Sequence, residues 1–501
     1  MDDYPFDTSA TKRDAQGIKH YSGLPASLIE MLRNTVERLP EAEAVVEIGG
    51  ERLSYHQLWE RAARVAGGLK AEGIGRGDRV AIRLPNGMDW VLAYFGTLLA
   101  GAVSVPVNTR FTDQEADYVI NDSGASYVFH PDHPLPEGRA MVAEGLQLSD
   151  LASIFYTSGT TGFPKGAMLS HENFLSNAEN ARRVVGLPED GEGIRNLVSV
   201  PLFHVTGCNS QLLPTAQIGG TTVIMPQFEV HDFLAAVRDE RINLLTSVPA
   251  IFWLAINQPE FPELDVSGVR WVTYGGAPIA PELVRRIMQS FPNAQLGNGF
   301  GLTETSSIAT YLPHQYAAEH ADSVGFPAPI VDLDLFEPDG DGVGELLIRG
   351  GNVVSGYWNK PDANAATFLD GWLHTGDMAR IDEHGLTYIV DRKKDMINRG
   401  GENVYCVEVE NALSAHPDIF EVAVVGVPDE MMGEKVGALI VPTPGKEPDA
   451  ADILAFARKH LADFKVPQYI AISQEPLPRN PGGKVLKPRL REGIDWGKPV
   501  R

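Results

Sequence analysis

Hydrophobic positions along the first two thirds of the chain alternate between two patterns. Short apolar runs such as RVAIRL and VSVPV are typical of strands that are buried on both faces. Between the runs, residues 57–73 and 113–124 place apolar side chains every three or four positions, which predicts amphipathic helices. Strands that alternate with helices predict parallel sheets. We therefore expect two doubly wound α/β units over roughly residues 20–320.

One uncharged stretch, WVLAYFGTLLAGAVSVPV at residues 90–107, is long enough to cross a bilayer. Gly96, Gly101, Ser104 and Pro106 interrupt it. A buried helix that ends at Gly101, followed by a buried strand, explains this pattern better. The sequence therefore predicts no integral membrane segment.

The pattern changes after residue 330. DLDLFEPDGDGVGELLIRG alternates short apolar strands with Gly and Asp, which predicts a small β-barrel or hairpin layer. Residues that follow this layer predict a small, separate α+β domain. We place the boundary near Asp391, with an N-terminal domain at residues 1–391 and a C-terminal domain at 392–501. Residues 130–148 show no clear period and are expected to form a loop.

Net charge and cysteine content limit which ligands the protein can bind and which cellular location is expected. The 501-residue chain has a formal net charge of -24, which argues against nucleic acid and anionic membrane surfaces as partners. A polyphosphate ligand must therefore meet a local cluster of basic groups. Cys208 and Cys406 are the two cysteines, and they form neither a disulfide framework nor a metal-ligand spacing. The acidic start MDDYPFD has no signal-peptide core, so we expect a cytoplasmic location.

Residues 156–166, YTSGTTGFPKG, combine Ser/Thr hydroxyls, glycines and one lysine. This composition suits a loop that wraps an anion with N–H, hydroxyl and ammonium groups. It is not the ATPase phosphate loop, because Lys165 follows Pro164 and precedes Gly166, where that loop has Ser or Thr. A solvated surface loop is the alternative. The apolar run LASIFY before it favours a strand followed by a phosphate-binding turn.

Five further stretches carry candidate chemistry. YGGAP, NGFGLTE and DRKKDMINRGGENVY supply glycine turns, with an aromatic ring and a carboxylate in the second. GWLHTGD ends in Asp377, and PRNPGGKVLKPRLR supplies Lys484 among basic residues with no acid nearby.

In this order the six stretches resemble the motifs of the adenylate-forming superfamily, which includes acyl- and aryl-CoA synthetases, luciferases and the adenylation domains of peptide synthetases. The resemblance extends from about Leu53 to Lys487. It implies that the anion is the triphosphate of ATP, that Mg²⁺ assists, and that a carboxylic acid becomes an acyl-adenylate with release of pyrophosphate. Coenzyme A would then be the co-substrate that accepts the acyl group.

The resemblance also implies roles for individual residues. The phosphates are assigned to Thr157, Ser158, Gly159, Thr160, Thr161 and Lys165, and magnesium to Thr157 and Glu304. The remainder of the ATP/AMP site is assigned to Gly275, Gly276, Ala277, Asn298, Gly299, Phe300, Gly301, Thr303, Asp377 and Arg392, the last two at the ribose.

Four further positions match residues that act around the reacting groups. Lys484 matches a catalytic lysine that contacts the carboxylate and α-phosphate, although alone it would be an ordinary surface lysine. Gly400 and Gly401 match the turn along which the thiol-bearing arm of coenzyme A enters, with a plain tight turn as the alternative. Asp391 matches the hinge of the C-terminal domain.

His204 is the remaining catalytic candidate. It matches a residue beside the acyl carboxylate, although a lone histidine among apolar residues is often structural. Cys208 is expected to serve packing. Two positions depart from the family pattern: Phe300 stands where many members have Tyr, and Cys406 where many have Pro.

The leading interpretation is an acid–CoA ligase for a medium- or long-chain fatty acid. The apolar stretches HVTGCNSQLLPTAQIGG and VPAIFWLAI favour an alkyl chain over an aromatic acid. No Asp follows Phe203, so a buried ammonium would lack a partner and an amino acid substrate is disfavoured. An aryl-CoA ligase, an enzyme that loads an acyl carrier protein, a luciferase-like monooxygenase and a non-catalytic nucleotide binder stay open, as does a homodimeric assembly.

Overall fold

The computed structural model describes residues 4–157, 163–277, 279–400, 402–479 and 485–500. The chain divides into two compact units. The larger comprises Met1–Ile279, Leu283–Leu333 and Ile348–His374, and the smaller comprises Ala280–Glu282, Asp334–Leu347 and Thr375–Arg501. The predicted mixed α/β class, with a large N-terminal and a small C-terminal domain, is confirmed. The position of the boundary at Asp391 stays a prediction.

Two mainly parallel sheets form the larger unit, as the alternating pattern predicts. The first has the strand order Phe326–Pro327, Thr310–Leu312, Gln295–Phe300, Trp271–Gly275, Leu244–Ser247, Arg195–Val198, Thr221–Ile224, Glu43–Glu47 and Arg52–Ser54. The second has the order Tyr127–Phe129, Arg79–Ile82, Val103–Pro106, Leu151–Thr157 and Lys165–Ser170. Thr11–Arg13 and Lys19–Tyr21 form a separate hairpin.

The remaining strands are short or antiparallel. Five of them form one sheet, namely Asp332–Phe336, Gly344–Arg349, Phe368–Leu369, Trp372–Ile381 and Thr387–Arg392. Another sheet contains Glu402–Val404, Ile397–Arg399, Gly433–Pro442, Ile419–Asp429 and Tyr469–Ile472.

Helices connect the strands and begin at side-chain caps in several cases. The α-helices are Leu28–Arg38, Tyr55–Ala71, Met88–Leu99, Asp113–Ser123, His171–Val185, Val205–Gly207, Leu213–Ile218, Val230–Asp239, Pro249–Ile256, Pro281–Ser290, His314–Ala317, Pro361–Thr367, Cys406–Ser414, Ala450–His460 and Lys487–Gly493. Cys208–Leu212 is a π-helix, and Phe261–Glu263, Thr303–Thr305 and Asp463–Lys465 are 3₁₀-helices. Ser54 and Thr112 each form a reciprocal capping box with the residue three positions later.

The uncharged stretch at residues 90–107 folds as predicted. Trp90 lies in the buried helix Met88–Leu99, where its ring stacks on that of Tyr94. Gly101 has φ 73° and ends the helical path, and the buried strand Val103–Pro106 follows. Among the described residues, no helix has the length and apolar character that a membrane span requires.

The loop at residues 130–148 lies directly on the helix Tyr55–Ala71, at Gly67 and Gly68. A Cβ atom on Gly67 would lie 2.0 Å from the Arg139 carbonyl oxygen, and one on Gly68 would lie 2.5 Å from the Pro136 carbonyl carbon. The loop can approach the helix backbone this closely because both helix positions lack side chains.

We predict that Gly68→Ala destabilises the protein. Alanine normally stabilises a helix interior relative to glycine, but here its methyl group would displace the loop backbone, at a cost of about 1–3 kcal/mol. Gly268→Ala is the control, because a Cβ atom there meets no atom within 4 Å. Thermal unfolding should show a lower midpoint for Gly68→Ala alone. An unchanged or raised midpoint would contradict the close approach.

Candidate active site

The predicted phosphate loop begins and ends on two paired strands of the larger unit. Leu151–Thr157 and Lys165–Ser170 are antiparallel, and Thr157 lies opposite Lys165. The Thr157 hydroxyl donates to the Lys165 carbonyl oxygen at 3.3 Å. Four of the assigned phosphate ligands, Ser158, Gly159, Thr160 and Thr161, lie outside the described residues, so their role stays a prediction.

A tyrosine that the sequence analysis missed contacts both charged residues of this region. The Lys165 ammonium nitrogen lies 4.6 Å from the centroid of the Tyr357 ring. On its other side, the Tyr357 hydroxyl donates to Glu304 Oε1 at 2.5 Å. Burial and, next, the Glu304 carboxylate raise the pKa of Tyr357, so its hydroxyl keeps its proton as a donor. Tyr357 thus contacts both Lys165, the predicted phosphate-binding cation, and Glu304, the predicted metal ligand.

The turn after Glu304 holds a strained backbone. Ser306 and Ser307 have φ values of 57° and 120°, in the left-handed region that favours glycine. The buried Asn209 side chain donates to the Ser306 carbonyl at 3.0 Å, and the Ser210 and Ser307 hydroxyls lie 2.6 Å apart. The π-helix Cys208–Leu212 therefore supports the turn that carries Glu304, and strain of this kind is common at functional sites.

The predicted adenine-side glycines come together on neighbouring strands. Gly275 lies opposite Gly299, and a Cβ atom on Gly275 would be 2.2 Å from the Gly299 carbonyl oxygen. Gly276 has φ 75° and continues the chain into the turn at Ala277. The Asn298 amide donates to the Ser323 carbonyl at 3.1 Å, so part of its hydrogen-bonding capacity is structural.

Phe300, Gly301 and Thr303 lead from this strand to Glu304. A Cβ atom on Gly301 would overlap the Ser307 carbonyl oxygen at 1.4 Å, so only glycine allows the 306–307 turn to close here. Phe300 and Thr303 are half-buried. Adenine binding by this group stays a prediction.

His204 has a structural task in the larger unit. Its side chain is exposed and caps the helix Val205–Gly207 by accepting from the Thr206 backbone N–H at 3.2 Å. This contact fits the structural reading of a lone histidine, and the catalytic role stays a prediction. Cys208 is fully buried, and burial raises the pKa of its thiol, as expected for a packing residue.

In the smaller unit, the two predicted ribose residues form an ion pair. Asp377 lies opposite Arg392 on paired strands, and Arg392 Nε is 2.5 Å from Asp377 Oδ1. Asp377 is buried, whereas the Arg392 side chain is 40% exposed. The guanidinium therefore reaches solvent while the carboxylate is held in place.

Asp391, the predicted hinge, is buried and caps a helix. Its carboxylate accepts from the backbone N–H of Cys406, the first residue of the helix Cys406–Ser414. Burial raises the pKa of Asp391, and Lys487 opposes that rise. Lys487 is itself paired with Glu410 at 2.8 Å.

Gly400 has φ 63°, a conformation that glycine adopts at little cost, and its N–H donates to the Met432 carbonyl at 2.7 Å. Gly401 and Lys484 lie outside the described residues. The roles of Gly400, Gly401, Lys484 and the Asp391 hinge therefore stay predictions.

The residues assigned to magnesium fit a hard cation. Mg²⁺ prefers oxygen ligands and is usually held by one or two carboxylates together with phosphate oxygens and waters. Glu304 is half-buried, and in the described part of the chain only the Tyr357 hydroxyl hydrogen-bonds its carboxylate, on Oε1. Glu304 Oε2 and the Thr157 hydroxyl oxygen can thus serve a cation. The described ranges contain no cluster of three His, Cys, Asp or Glu side chains that could form a complete protein cage.

Comparison with protein families gives two matches. The AMP-binding enzyme family matches residues 32–147 and 133–358, and the AMP-binding enzyme C-terminal domain matches residues 408–484. The first matched family includes the motifs at residues 156–166, 274–278 and 298–304. The motifs at residues 371–377 and 391–405 lie between the two matches, and the second match ends at residue 484, within the stretch 478–491.

Curated relatives are similar over nearly their full length. The chain is 38% identical to feruloyl-CoA synthase of Amycolatopsis sp, over 90% of this chain and 96% of the relative. It is 35% identical to the long-chain-fatty-acid–CoA ligase FadD13 of Mycobacterium tuberculosis, over 92% of this chain and 97% of the relative.

A solved structure has the same fold. It is o-succinylbenzoate CoA synthetase from Bacillus subtilis in complex with an acyl-adenylate intermediate, with a TM-score of 0.83, 27% identity, and coverage of 94% of this chain and 99% of that chain. The same enzyme in complex with ATP and magnesium ion has a TM-score of 0.82 at 27% identity, with coverage of 92% and 98%.

The Asp391 contact generates a prediction for Cys406. Proline is normally favoured at the first position of a helix, because that N–H has no helical partner. Here the N–H binds a buried carboxylate, so Cys406→Pro should destabilise the smaller unit by about 1–3 kcal/mol.

Cys406→Ser keeps the N–H and is the matched control. Hydrogen exchange of the peptides that contain residues 406–414 should report the difference between the two variants. Equal protection in both would show that the Asp391 contact does not stabilise the helix.

Proposed function

The chain belongs to the AMP-binding enzyme family, and we propose that it is an ATP-dependent acid–CoA ligase whose substrate is a medium- or long-chain fatty acid. The observation that carries the reaction type is the ordered set of motifs together with the Lys165–Tyr357–Glu304 contacts of the larger unit. The similarity to a feruloyl-CoA synthase and a long-chain-fatty-acid–CoA ligase, over nearly the full length of each, supports acyl- or aryl-CoA ligation. That the acid carries an alkyl chain is a more specific proposal than CoA ligation itself.

The first half-reaction needs positive charge beside the α-phosphate. A carboxylate is a poor electrophile, and its attack on ATP gives a mixed anhydride and pyrophosphate while negative charge accumulates. Lys165 and the donors of residues 157–161 would hold the phosphates, and Lys484 would contact the α-phosphate and the carboxylate. Magnesium, when bound by Glu304 and Thr157, would offset phosphate charge. Arg392 and Asp377 would hold the ribose.

The second half-reaction transfers the acyl group to the thiol of coenzyme A. The thiol attacks the acyl carbon, and AMP leaves with the electrons of the broken carbon–oxygen bond. Gly400 and Gly401 would flank the pantetheine arm, and a change of backbone angles at Asp391 would exchange them for Lys484. His204 would lie near the acyl carboxylate.

The proposed acid substrate rests on two apolar segments of the larger unit. Residues 205–218 form one helical segment with a π-helical turn, and the helix Pro249–Ile256 carries Trp253 and Leu254 on its less buried side. An alkyl chain would gain free energy from such surroundings. An aromatic acid is the second candidate, and the similarity to feruloyl-CoA synthase favours it.

We predict a steep dependence on chain length. Each buried methylene should contribute about 0.8 kcal/mol, roughly fourfold in kcat/KM, until the pocket is filled. CoA-dependent AMP release should be measured for straight-chain acids from six to twelve carbons, with benzoate and ferulate as aromatic controls. A flat response with aromatic acids preferred would replace the fatty-acid proposal with an aryl-CoA ligase.

A second prediction separates the two half-reactions. Lys484→Ala removes a cation from the site of growing charge, so acid-dependent ATP–pyrophosphate exchange should fall about 10²–10³-fold. Thioester formation from synthetic acyl-adenylate and CoA should persist, since that step does not develop this charge. Lys498→Ala, at an exposed lysine, is the control. Equal loss of both activities in folded Lys484→Ala would contradict the assigned role.

A further inference from the structure

A short segment of the larger unit, residues 352–358, runs from the Glu304 turn to the strand that Lys165 begins; we term it the bridging segment. At the first end, the Val354 N–H donates to the Glu304 carbonyl at 2.9 Å. The buried Asn352 side chain donates to the Thr305 carbonyl at 3.0 Å. The bridging segment is therefore attached to the backbone that positions Glu304.

At its other end the bridging segment pairs with the strand Lys165–Ser170. The Trp358 N–H donates to the Gly166 carbonyl at 2.7 Å, and the Gly356 carbonyl accepts from the Met168 N–H at 3.0 Å. These bonds flank Tyr357, which forms an isolated antiparallel bridge with Ala167. The pairing fixes Tyr357 beside Lys165.

One amide side chain holds the backbone of Tyr357 on both sides. The Tyr357 N–H donates to Asn364 Oδ1 at 2.6 Å, and Asn364 Nδ2 donates to the Tyr357 carbonyl at 3.0 Å. The Tyr357 ring packs edge-on against the Phe368 ring, with 5.5 Å between the two ring centroids. Backbone and ring are both constrained, so the hydroxyl and the ring face have defined positions.

Lys165 and Glu304 have opposite charges, yet no ion pair joins them in the part of the chain that the structure describes. Each contacts Tyr357 instead, the ammonium on the ring face and the carboxylate at the hydroxyl. A direct ion pair would neutralise the lysine that is proposed to bind phosphate and occupy the carboxylate that is proposed to bind metal.

We propose that Tyr357 is a positioning residue that keeps Lys165 and Glu304 apart and oriented, so that the metal-binding carboxylate and the phosphate-binding cation are in place before Mg²⁺ and ATP arrive. The inference rests on the proposed function, because it takes Glu304 as the metal ligand. Tyr357 itself touches neither substrate nor metal in this scheme. Its two contacts act separately: the hydroxyl orients Glu304, and the ring holds Lys165.

The test measures binding without turnover. Isothermal titration of the full-length protein with ATP, in the absence of any carboxylic acid, gives Kd values in excess EDTA and in excess Mg²⁺. In the wild type the metal should tighten binding. Tyr357→Phe keeps the ring and loses the hydroxyl, so the tightening by Mg²⁺ should shrink by roughly tenfold while the metal-free Kd stays nearly constant.

Tyr357→Leu removes the ring as well, so the metal-free Kd should also rise. Tyr388→Phe is the matched control, because the Tyr388 hydroxyl donates to a different carboxylate, Asp382 Oδ2, at 3.2 Å. Its effect on the ratio of the two Kd values should be negligible. Circular dichroism and thermal unfolding of each variant confirm that the fold is intact.

A double-mutant cycle with Glu304→Gln isolates the contact. If the hydroxyl acts through Glu304, Tyr357→Phe should cause no further loss of the Mg²⁺ effect in that background. A loss that persists there, or a Tyr357→Phe effect of equal size with and without Mg²⁺, overturns the inference. If Glu304→Gln alone leaves the Mg²⁺ effect intact, the assignment of Glu304 to the metal fails instead.

Discussion

Backbone pairing between residues 356–358 and 166–168 is the contact on which the charged part of the site depends. Lys165 begins the strand Lys165–Ser170 in the second, mainly parallel sheet of the larger unit. Glu304 follows the strand Gln295–Phe300 in the first, nine-stranded sheet. No regular hydrogen-bond ladder joins these two sheets among the described strands. The bridging segment provides the connection, since it bonds to the Glu304 backbone at one end and to the strand after Lys165 at the other.

The contacts of Lys165 and Arg392 determine how much positive charge each can offer to a ligand. A chain with 66 acidic and 42 basic residues must keep some positive charge available if it is to bind a triphosphate. Lys165 lies on an aromatic face, which attracts the ammonium without cancelling its charge. Arg392 instead pairs with Asp377, so its charge is already partly compensated. Lys165 is thus suited to an anion, while Arg392 and Asp377 together are suited to neutral hydroxyls.

Much of the fold follows from local patterns, and much of the site does not. The burial of Met88–Leu99 and the strand after Gly101 could be predicted because apolar runs and glycine report directly on burial and turns. The placement of Tyr357 could not, because its partners are distant in sequence and no spacing in SGYWNK connects them. The same is true of Asn209, whose amide supports the strained turn after Glu304 from a separate helix.

At position 406, a departure from the family pattern adds one backbone hydrogen-bond donor, because cysteine has an N–H that proline lacks. In the structure this N–H donates to the Asp391 carboxylate. That carboxylate interacts with Glu410 and Lys487, and burial raises the pKa of both acids. One ammonium cannot fully compensate two buried carboxylates. The backbone N–H of Cys406 therefore supplies a donor that a proline at this position would lack.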